Sequence, residues 1–559
     1  MPRPRIAAYT APPAAVVAAL DLLRERYEVP DGFPEEALAQ ASASSLAWED
    51  GGPERFLAEG HGDGLAVRDA RDLPLVTIDP PGSMDLDQAL LLERIAPASG
   101  GAGALPDGAA PAPGTSRAGA APAPDASRAG AAPAYRVTYA IASLATFVTP
   151  GGALDAEVRR RGETVYAPDR SIPLHPELLS HGAASLLPEL DRPACLWTIE
   201  LDAAGAVTGA HVERALVRSR ARLTYAQVQE ALDGAAALPA AVPADLPGLL
   251  REVGTLRERQ EAQRGGVSLS TPEQEVVRDE DADGYCLTYR AALPVEGWNA
   301  QVSLLTGMCA AAIMVRAGVG ILRTMPPADP RDYRRLRRIA YALGVAWPEE
   351  LAYPELVRRL DASVPAHAAF MDRAAGLFRG AGYLAFGPGI APVPQAGQAF
   401  HAAIAARYAH VTAPLRRLVD RYAEEVCVAA CAGAPVPGWV LEALGGLTEA
   451  MALTGRRARA VGHGAVSAIE ALVLDGHVGE VFDGVLLSER DGRGEVMLLE
   501  PAVVAAVHLE DEARGASRLG AGRDSARGSG RSLPVGEAVR VRLEEVDVLA
   551  ARVTFVLVP

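Results

Sequence analysis

Apolar residues recur at helical spacing across residues 12–27 (PPAAVVAALDLLRERY), and after the PDGFP turn a second helical stretch runs from Glu35 to Ala43. Short extended pieces follow around Ser45 to Trp48 and Arg55 to Ala66. Two helices and a hairpin predict a small winged-helix-like domain over residues 1–70, which a purely structural cap explains as well as a nucleic-acid guide does. The pattern then changes. In Leu75 to Leu90 (LVTIDPPGSMDLDQAL) a β-type run breaks at Pro80-Pro81-Gly82 and turns apolar again after a cluster of aspartates. Ala89 to Ile95 reads as a strand, and Tyr135 opens an alternating strand, RVTYAIASLATFV. Between them, Ala96 to Ala134 is low in complexity and repeats SRAGAAPA at Ser116 and Ser127, a composition that predicts a disordered surface insertion.

Further along, Asp329-Pro330 marks a helix start and Gly344 its stop. Arginines at 331, 334, 335, 337 and 338 are spread around that helix and predict a solvated face rather than an RNA track. A helix is expected from Val411 onward, beginning with the TAP sequence, and a long one through Arg456, Arg457 and Ala468. The end of the chain reads as short strands around a Gly/Ser/Arg-rich loop, Ala513 to Ser532.

Length and charge narrow the possibilities. A chain of 559 residues exceeds one ordinary core and predicts about three domains. A net charge of −16 excludes a protein that coats nucleic acid non-specifically, so any RNA or DNA site must be a local basic channel. All 54 basic residues are arginine, in keeping with a composition rich in Ala, Gly, Pro and Arg throughout. The five cysteines form no CxxC and read as buried reduced thiols. No uninterrupted apolar run reaches membrane-spanning length, so the expectation is a soluble, cytoplasmic, monomeric protein without a membrane partner.

Candidate chemistry sits in the opening motif. Asp79, Asp85 and Asp87 lie within nine residues, and such a cluster is costly unless a cation shares it; hard ions such as Mg²⁺ take oxygen-only ligands. Taken alone, an acidic turn of this kind also reads as a solvated loop. The rest of the chain changes that. TIDPPGSMDLDQAL, GALDAEVRRRGETVYAPDRSIPLHPELLSHGAASLLPELDRP, RALVRSRARLTYAQVQEAL, RGGVSLS and RYAHVTAPLRRLVDRY occur in order over residues from about 73 to 460. Together they resemble the catalytic (RNB) domain of the ribonuclease II/ribonuclease R family.

The resemblance implies a fold and a set of roles. The fold is α+β and multidomain: a mixed β-sheet domain wrapped by helices over 71–460, the helical domain over 1–70, and an OB-fold barrel over 461–559. The activity implied is Mg²⁺-dependent 3′→5′ hydrolysis of single-stranded RNA to nucleoside 5′-monophosphates, with two ions roughly 3.5–4 Å apart serving phosphodiester cleavage. The metal-holding roles fall on Asp79, Asp85, Asp87 and, where the family has a fourth aspartate, Gln88. Arg416 matches the arginine that contacts the scissile phosphate, with a helix-start ion pair to Asp420 as its structural alternative. Arg417 is expected to touch RNA backbone or to be structural. Tyr166 matches the tyrosine that stacks on the 3′-terminal nucleotide, and Leu269 stands where family members carry a partner aromatic. His410 reads as structural. Ser143, Gln301, Val302 and Met308 replace polar or acidic family positions, which with Gln88 raises the alternative of a catalytically weakened or silent RNA-binding protein.

Overall fold

Runs of β-branched and leucine residues build the central sheet of the computed structural model, which describes residues 14–95, 132–268, 273–279, 284–290, 292–361, 364–377, 379–395, 397–490, 492–498, 501, 503–509 and 538–558. Seven strands lie in the order Val67–Ala70, Val207–Arg218, Asp191–Leu201, Tyr135–Ala142, Gln88–Arg94, Val76–Asp79, Ala221–Thr224. The joins at the two ends of this order are parallel and the others antiparallel. Register sets Gln88 opposite Ile141 and Asp79 opposite Thr224. Tyr139 and Trp197 are buried in the sheet's core, as are much of the helices Pro294–Ala317 and Leu418–Ala432 that pack against each other. Pro294–Ala317 is long and apolar enough to cross a membrane, but more than half of its most apolar stretch is buried within the protein, as in a core helix.

The N-terminal segment departs from expectation. Residues Glu35–Glu49 and Gly52–Glu59 are helices, so the extended pieces predicted around Ser45 and Arg55 are not strands and there is no hairpin wing. Ala37, Ala41, Ser45 and Trp48 are buried at helical spacing, a stripe too weakly apolar to read from sequence. Trp48 packs edge-on against Phe56 and Phe147 in the main core. Helix Ala14–Arg26 goes elsewhere: Val16 and Leu20 join the core of the C-terminal barrel. The described helices within residues 14–70 are thus shared between two cores.

That barrel is closed, with strands Val481–Arg490, Arg493–Leu498, Val504–His508, Arg552–Val558 and Ala538–Asp547 in order and one parallel join, Val504–His508 to Arg552–Val558. The predicted OB-type barrel is present, while its loop 513–532 and insertion residues 96–131 lie outside the described residues. Phe555 is fully buried and Phe482 packs on it, so the described strands offer no exposed aromatic ring. Helix Gly438–Val473, 36 residues, runs from the main core at Leu444 to the barrel core at Ile469, straight across the expected boundary at residue 460.

A smaller cluster is built by helices Pro330–Ala342, Tyr353–Val357 and Pro365–Ala375 around Leu336, Ile339 and Phe370. The Asp329 carboxylate caps its first helix by accepting from the Arg331 N–H at 2.7 Å, as the Asp-Pro start predicts. Leu343 touches Leu487 and Met497 of the barrel, and Arg373 pairs with Glu495 at 2.9 Å. By contrast, residues 411–417 are irregular and the helix expected from Val411 begins at Leu418. Pro414 disfavours helical geometry in the residue before it, which delays the start. Among the described cysteines, Cys195, Cys309 and Cys427 are buried free thiols, and burial pushes Cys309 up to about 12.

Gly307, inside Pro294–Ala317, lets that helix approach the segment leading to residues 411–417 closely: the Ala409 N–H donates to the Gly307 carbonyl at 3.0 Å. A Cβ there would lie 2.1 Å from the Tyr408 ring and 2.5 Å from the Ala409 carbonyl oxygen. Gly307→Ala should therefore destabilise the protein by about 1–3 kcal/mol, read as a lower urea midpoint, despite alanine's better helix propensity.

Candidate active site

The aspartate motif is fixed by its neighbours before any charge is considered. After strand Val76–Asp79 the chain turns through Gly82 at φ 78°, a conformation glycine adopts without strain. Ser185 then clamps the loop: its hydroxyl donates to the Met84 carbonyl at 2.6 Å and accepts the Leu86 N–H at 3.0 Å. Leu86 is fully buried between Asp85 and Asp87, which sets where the two carboxylates can go.

Asp87 is almost entirely buried. Its Oδ1 accepts the Leu415 N–H at 2.7 Å and its Oδ2 lies 3.3 Å from Arg416 Nε. Burial pushes its carboxyl well above the usual range; Arg416 and the Leu415 N–H oppose that, and Asp85 reinforces it. The Arg416 side chain is 40% exposed beside it. Desolvation works against the Arg416 charge, but Tyr166, Asp87 and Asp85 more than offset it, and its pKa lies above the ordinary arginine value.

The two consecutive arginines are therefore separated in role. The ion pair with Asp420 belongs to Arg417, through Nε at 3.0 Å and Nη2 at 2.8 Å. Asp420 is fully buried and also accepts the Ala413 N–H at 2.7 Å. Further hydrogen bonds hold the same segment: His175 Nδ1 to the Leu415 carbonyl at 3.0 Å, Thr164 N–H to the Arg416 carbonyl at 3.0 Å, and Leu418 N–H to the Gly162 carbonyl at 2.9 Å. His175 donates from Nδ1 in its neutral form, and burial lowers its pKa to about 4.

Gln88 sits at the seam between sheet and segment. Its amide nitrogen donates to the Thr412 carbonyl, and its amide oxygen accepts from the Tyr139 hydroxyl and from Ser303 at 3.4 Å. Both ends of the amide are engaged by protein groups. Tyr166 is 43% exposed, and its hydroxyl donates to Asp85 Oδ2 at 3.3 Å. Asp79 ends its strand half-buried. Among the described residues no three acidic, histidine or cysteine side chains converge as a ready-made metal cage. Leu269 lies outside the described residues.

Of the other positions singled out, Ser143 is buried against Thr146, Gln301 donates to Glu261 at 2.6 Å, Val302 is fully buried, and His410 bonds the Tyr383 hydroxyl at 2.8 Å. Sequence reasoning missed Leu415, His175, Tyr139 and Ser303. Leu415 acts through its backbone, which no motif advertises. His175 lies within a family-like segment and could have been weighed as its buried polar residue.

Residues 67–432 match the family model described as the RNB domain. The chain belongs to the RNB-domain family. Ribonuclease R of Acidithiobacillus ferrooxidans is 34% identical over 230 residues, covering 41% of this chain and 42% of the relative. The chain thus spans less than half the length of that protein. Ribonuclease R of Aquifex aeolicus is 26% identical over 576 residues, 97% of this chain and 70% of the relative. Mycoplasma genitalium RNase R in complex with ribose methylated single-stranded RNA shares the fold at a TM-score of 0.73 and 16% identity, over 98% of this chain and 78% of that one. Within this RNB-family fold, the acidic motif and residues 411–417 meet at Asp87.

Two outcomes follow from the geometry. Arg417→Met strands the buried Asp420 charge and should destabilise the protein by about 3–5 kcal/mol in denaturant melts, whereas Arg416→Met should cost less, because Asp87 keeps the Leu415 N–H and its raised pKa lets it take up a proton. His175 is depressed in the folded state, so its contribution to stability is complete above the unfolded value of about 6.5 and is lost as pH falls towards about 4. His401 is depressed to about 4 and His410 also shifts down, both by burial. Stability measured by urea titration should decline across that window, by on the order of 3 kcal/mol for His175 alone.

Proposed function

We propose that the chain is a Mg²⁺-dependent 3′→5′ exoribonuclease that hydrolyses single-stranded RNA to nucleoside 5′-monophosphates. The observation that carries this reading is the contact of a buried carboxylate, Asp87, with a half-exposed guanidinium, Arg416. The donors suit a hard cation: Asp79, Asp85 and Asp87 offer only oxygen, and burial holds the Asp87 carboxyl well above the usual range despite Arg416, so a cation beside it would favour the charged, ligating form. Mg²⁺ is commonly held by one or two carboxylates together with waters and substrate phosphate, so these carboxylates need not converge as a closed cage. When bound, such ions supply charge neutralisation at phosphate and an acidified water.

The chain's own residues do the rest. Arg416 is placed to bind a phosphate oxygen and the charge that grows on it. Tyr166 presents an exposed ring face for the terminal base while its hydroxyl is held by Asp85. Arg417, with two donor nitrogens committed to Asp420, takes the structural of the two roles expected from sequence, an RNA-backbone contact or a structural one. Gln88 likewise has its carbonyl oxygen engaged by two hydroxyls, so it serves as a neutral link to Thr412, and Asp79, Asp85 and Asp87 are left as the metal-holding set.

That neutral link also favours one rival reading, an RNA-binding protein with weakened or silent chemistry. Incubating 5′-labelled oligo(A) RNA with protein and Mg²⁺ separates the two. Stepwise shortening that EDTA or Asp87→Asn abolishes supports the enzyme, and Arg416→Ala should then slow turnover by about 10²–10³-fold. RNA that shifts on a native gel but is never shortened supports the rival.

A further inference from the structure

Four of the five arginines of helix Pro330–Ala342 lie on its exposed side, as the sequence predicts, and the fifth does not. Leu336, Ile339 and Ala340 face the small cluster's core. Arg337 turns inward as well: its guanidinium lies 4.3 Å from the centre of the Trp347 ring and donates to the Trp347 carbonyl at 3.1 Å. The remaining arginines, Arg331, Arg334, Arg335 and Arg338, are all exposed and follow the i, i+3, i+4, i+7 spacing of one helix face. Tyr341 continues that face and is 89% exposed.

Two further observations set this face apart from an ordinary charged surface. The helix's own acidic residue, Asp332, is taken by Arg379 at 2.8 Å, and among the described residues no carboxylate lies within ion-pair distance of the four arginines. In a chain with a net charge of −16, four cations with no ion pair to any described residue share one face, about 10 Å long, ending in an exposed aromatic ring. The cluster also abuts the barrel through Leu343 and the Arg373–Glu495 pair, next to strands that present no exposed aromatic ring of their own.

Cations along a line with an aromatic beside them form the pattern that follows a single nucleic-acid strand, with guanidinium groups on phosphates and a ring on a base. We propose that Arg331, Arg334, Arg335, Arg338 and Tyr341 form a second RNA contact that holds the part of a single strand lying outside the active site. This rests on the RNA reading above.

The test is fluorescence anisotropy with labelled 5-nucleotide and 20-nucleotide oligo(A), in an Asp87→Asn background, across a salt series. In the triple variant Arg334→Gln/Arg335→Gln/Arg338→Gln, 20-mer binding should weaken by on the order of tenfold and the salt slope should fall by about 2, with 5-mer binding unchanged. Tyr341→Ser should weaken 20-mer binding without changing the slope. All of these side chains are exposed, so melting temperatures should match the parent's. Unchanged 20-mer affinity and slope in variants that melt like a parent that binds RNA would overturn the second contact. Equal weakening on the 5-mer and the 20-mer would overturn it too, by placing the effect at the active site. A parent that binds neither RNA would sink the RNA reading itself, and this inference with it.

Discussion

A buried carboxylate must find donors, and Asp87 finds them in residues far along the chain. The Leu415 N–H and the Arg416 guanidinium reach it from a segment with no regular structure of its own. Leaving that charge without partners in the interior would cost several kcal/mol, so sheet and segment are bound to each other by the demand of one side chain. The supporting hydrogen bonds follow from it. His175 fixes the Leu415 peptide from its other side, Gly162 and Thr164 hold the backbone on either side of Arg417, and Asp420 gathers the Ala413 N–H and the Arg417 fork. A segment that is irregular in conformation is in this way fixed in position, as a binding loop on a rigid scaffold needs to be.

Gln88 shows how a site can exchange charge for connectivity. An amide can donate and accept at once, and here it links strand, helix and loop through Tyr139, Ser303 and Thr412. A carboxylate in its place could accept the two hydroxyls but could not donate to the Thr412 carbonyl. The residue that looks like a loss when read as a ligand is, as a hydrogen-bonding group, suited to its surroundings.

Much of the fold was legible because it depends on strong local signals. The aspartate-bearing strand and turn, the Asp329-Pro330 helix start, the long helix through Arg456 and the closing strands each follow from periodicity or turn chemistry. The misses have physical causes. Helix Glu35–Glu49 hides its buried stripe in alanine and serine, which carry little hydrophobic contrast. Which of Arg416 and Arg417 pairs with Asp420 depends on where the helix begins, and Pro414 moves that start. The distinction between Arg337 and its neighbours needs Trp347, a contact made in the folded cluster. Of the site, the residues Asp87, Arg416 and Tyr166 were visible from motifs, whereas the backbone donor at Leu415 was not.

The placement of helix Ala14–Arg26 bears on how the chain reaches this state. Val16 and Leu20 share a core with Ala465 and Ile469, and the helix packs on Gly438–Val473, which in turn reaches the barrel. A contact of such sequence separation carries the entropy of closing a long loop of chain, and forms slowly for that reason. In a chain synthesised from its N-terminus, this helix has no partner to pack on until helix Gly438–Val473 exists. Its apolar stripe therefore stays exposed through most of synthesis, and the central seven-stranded sheet must assemble without it.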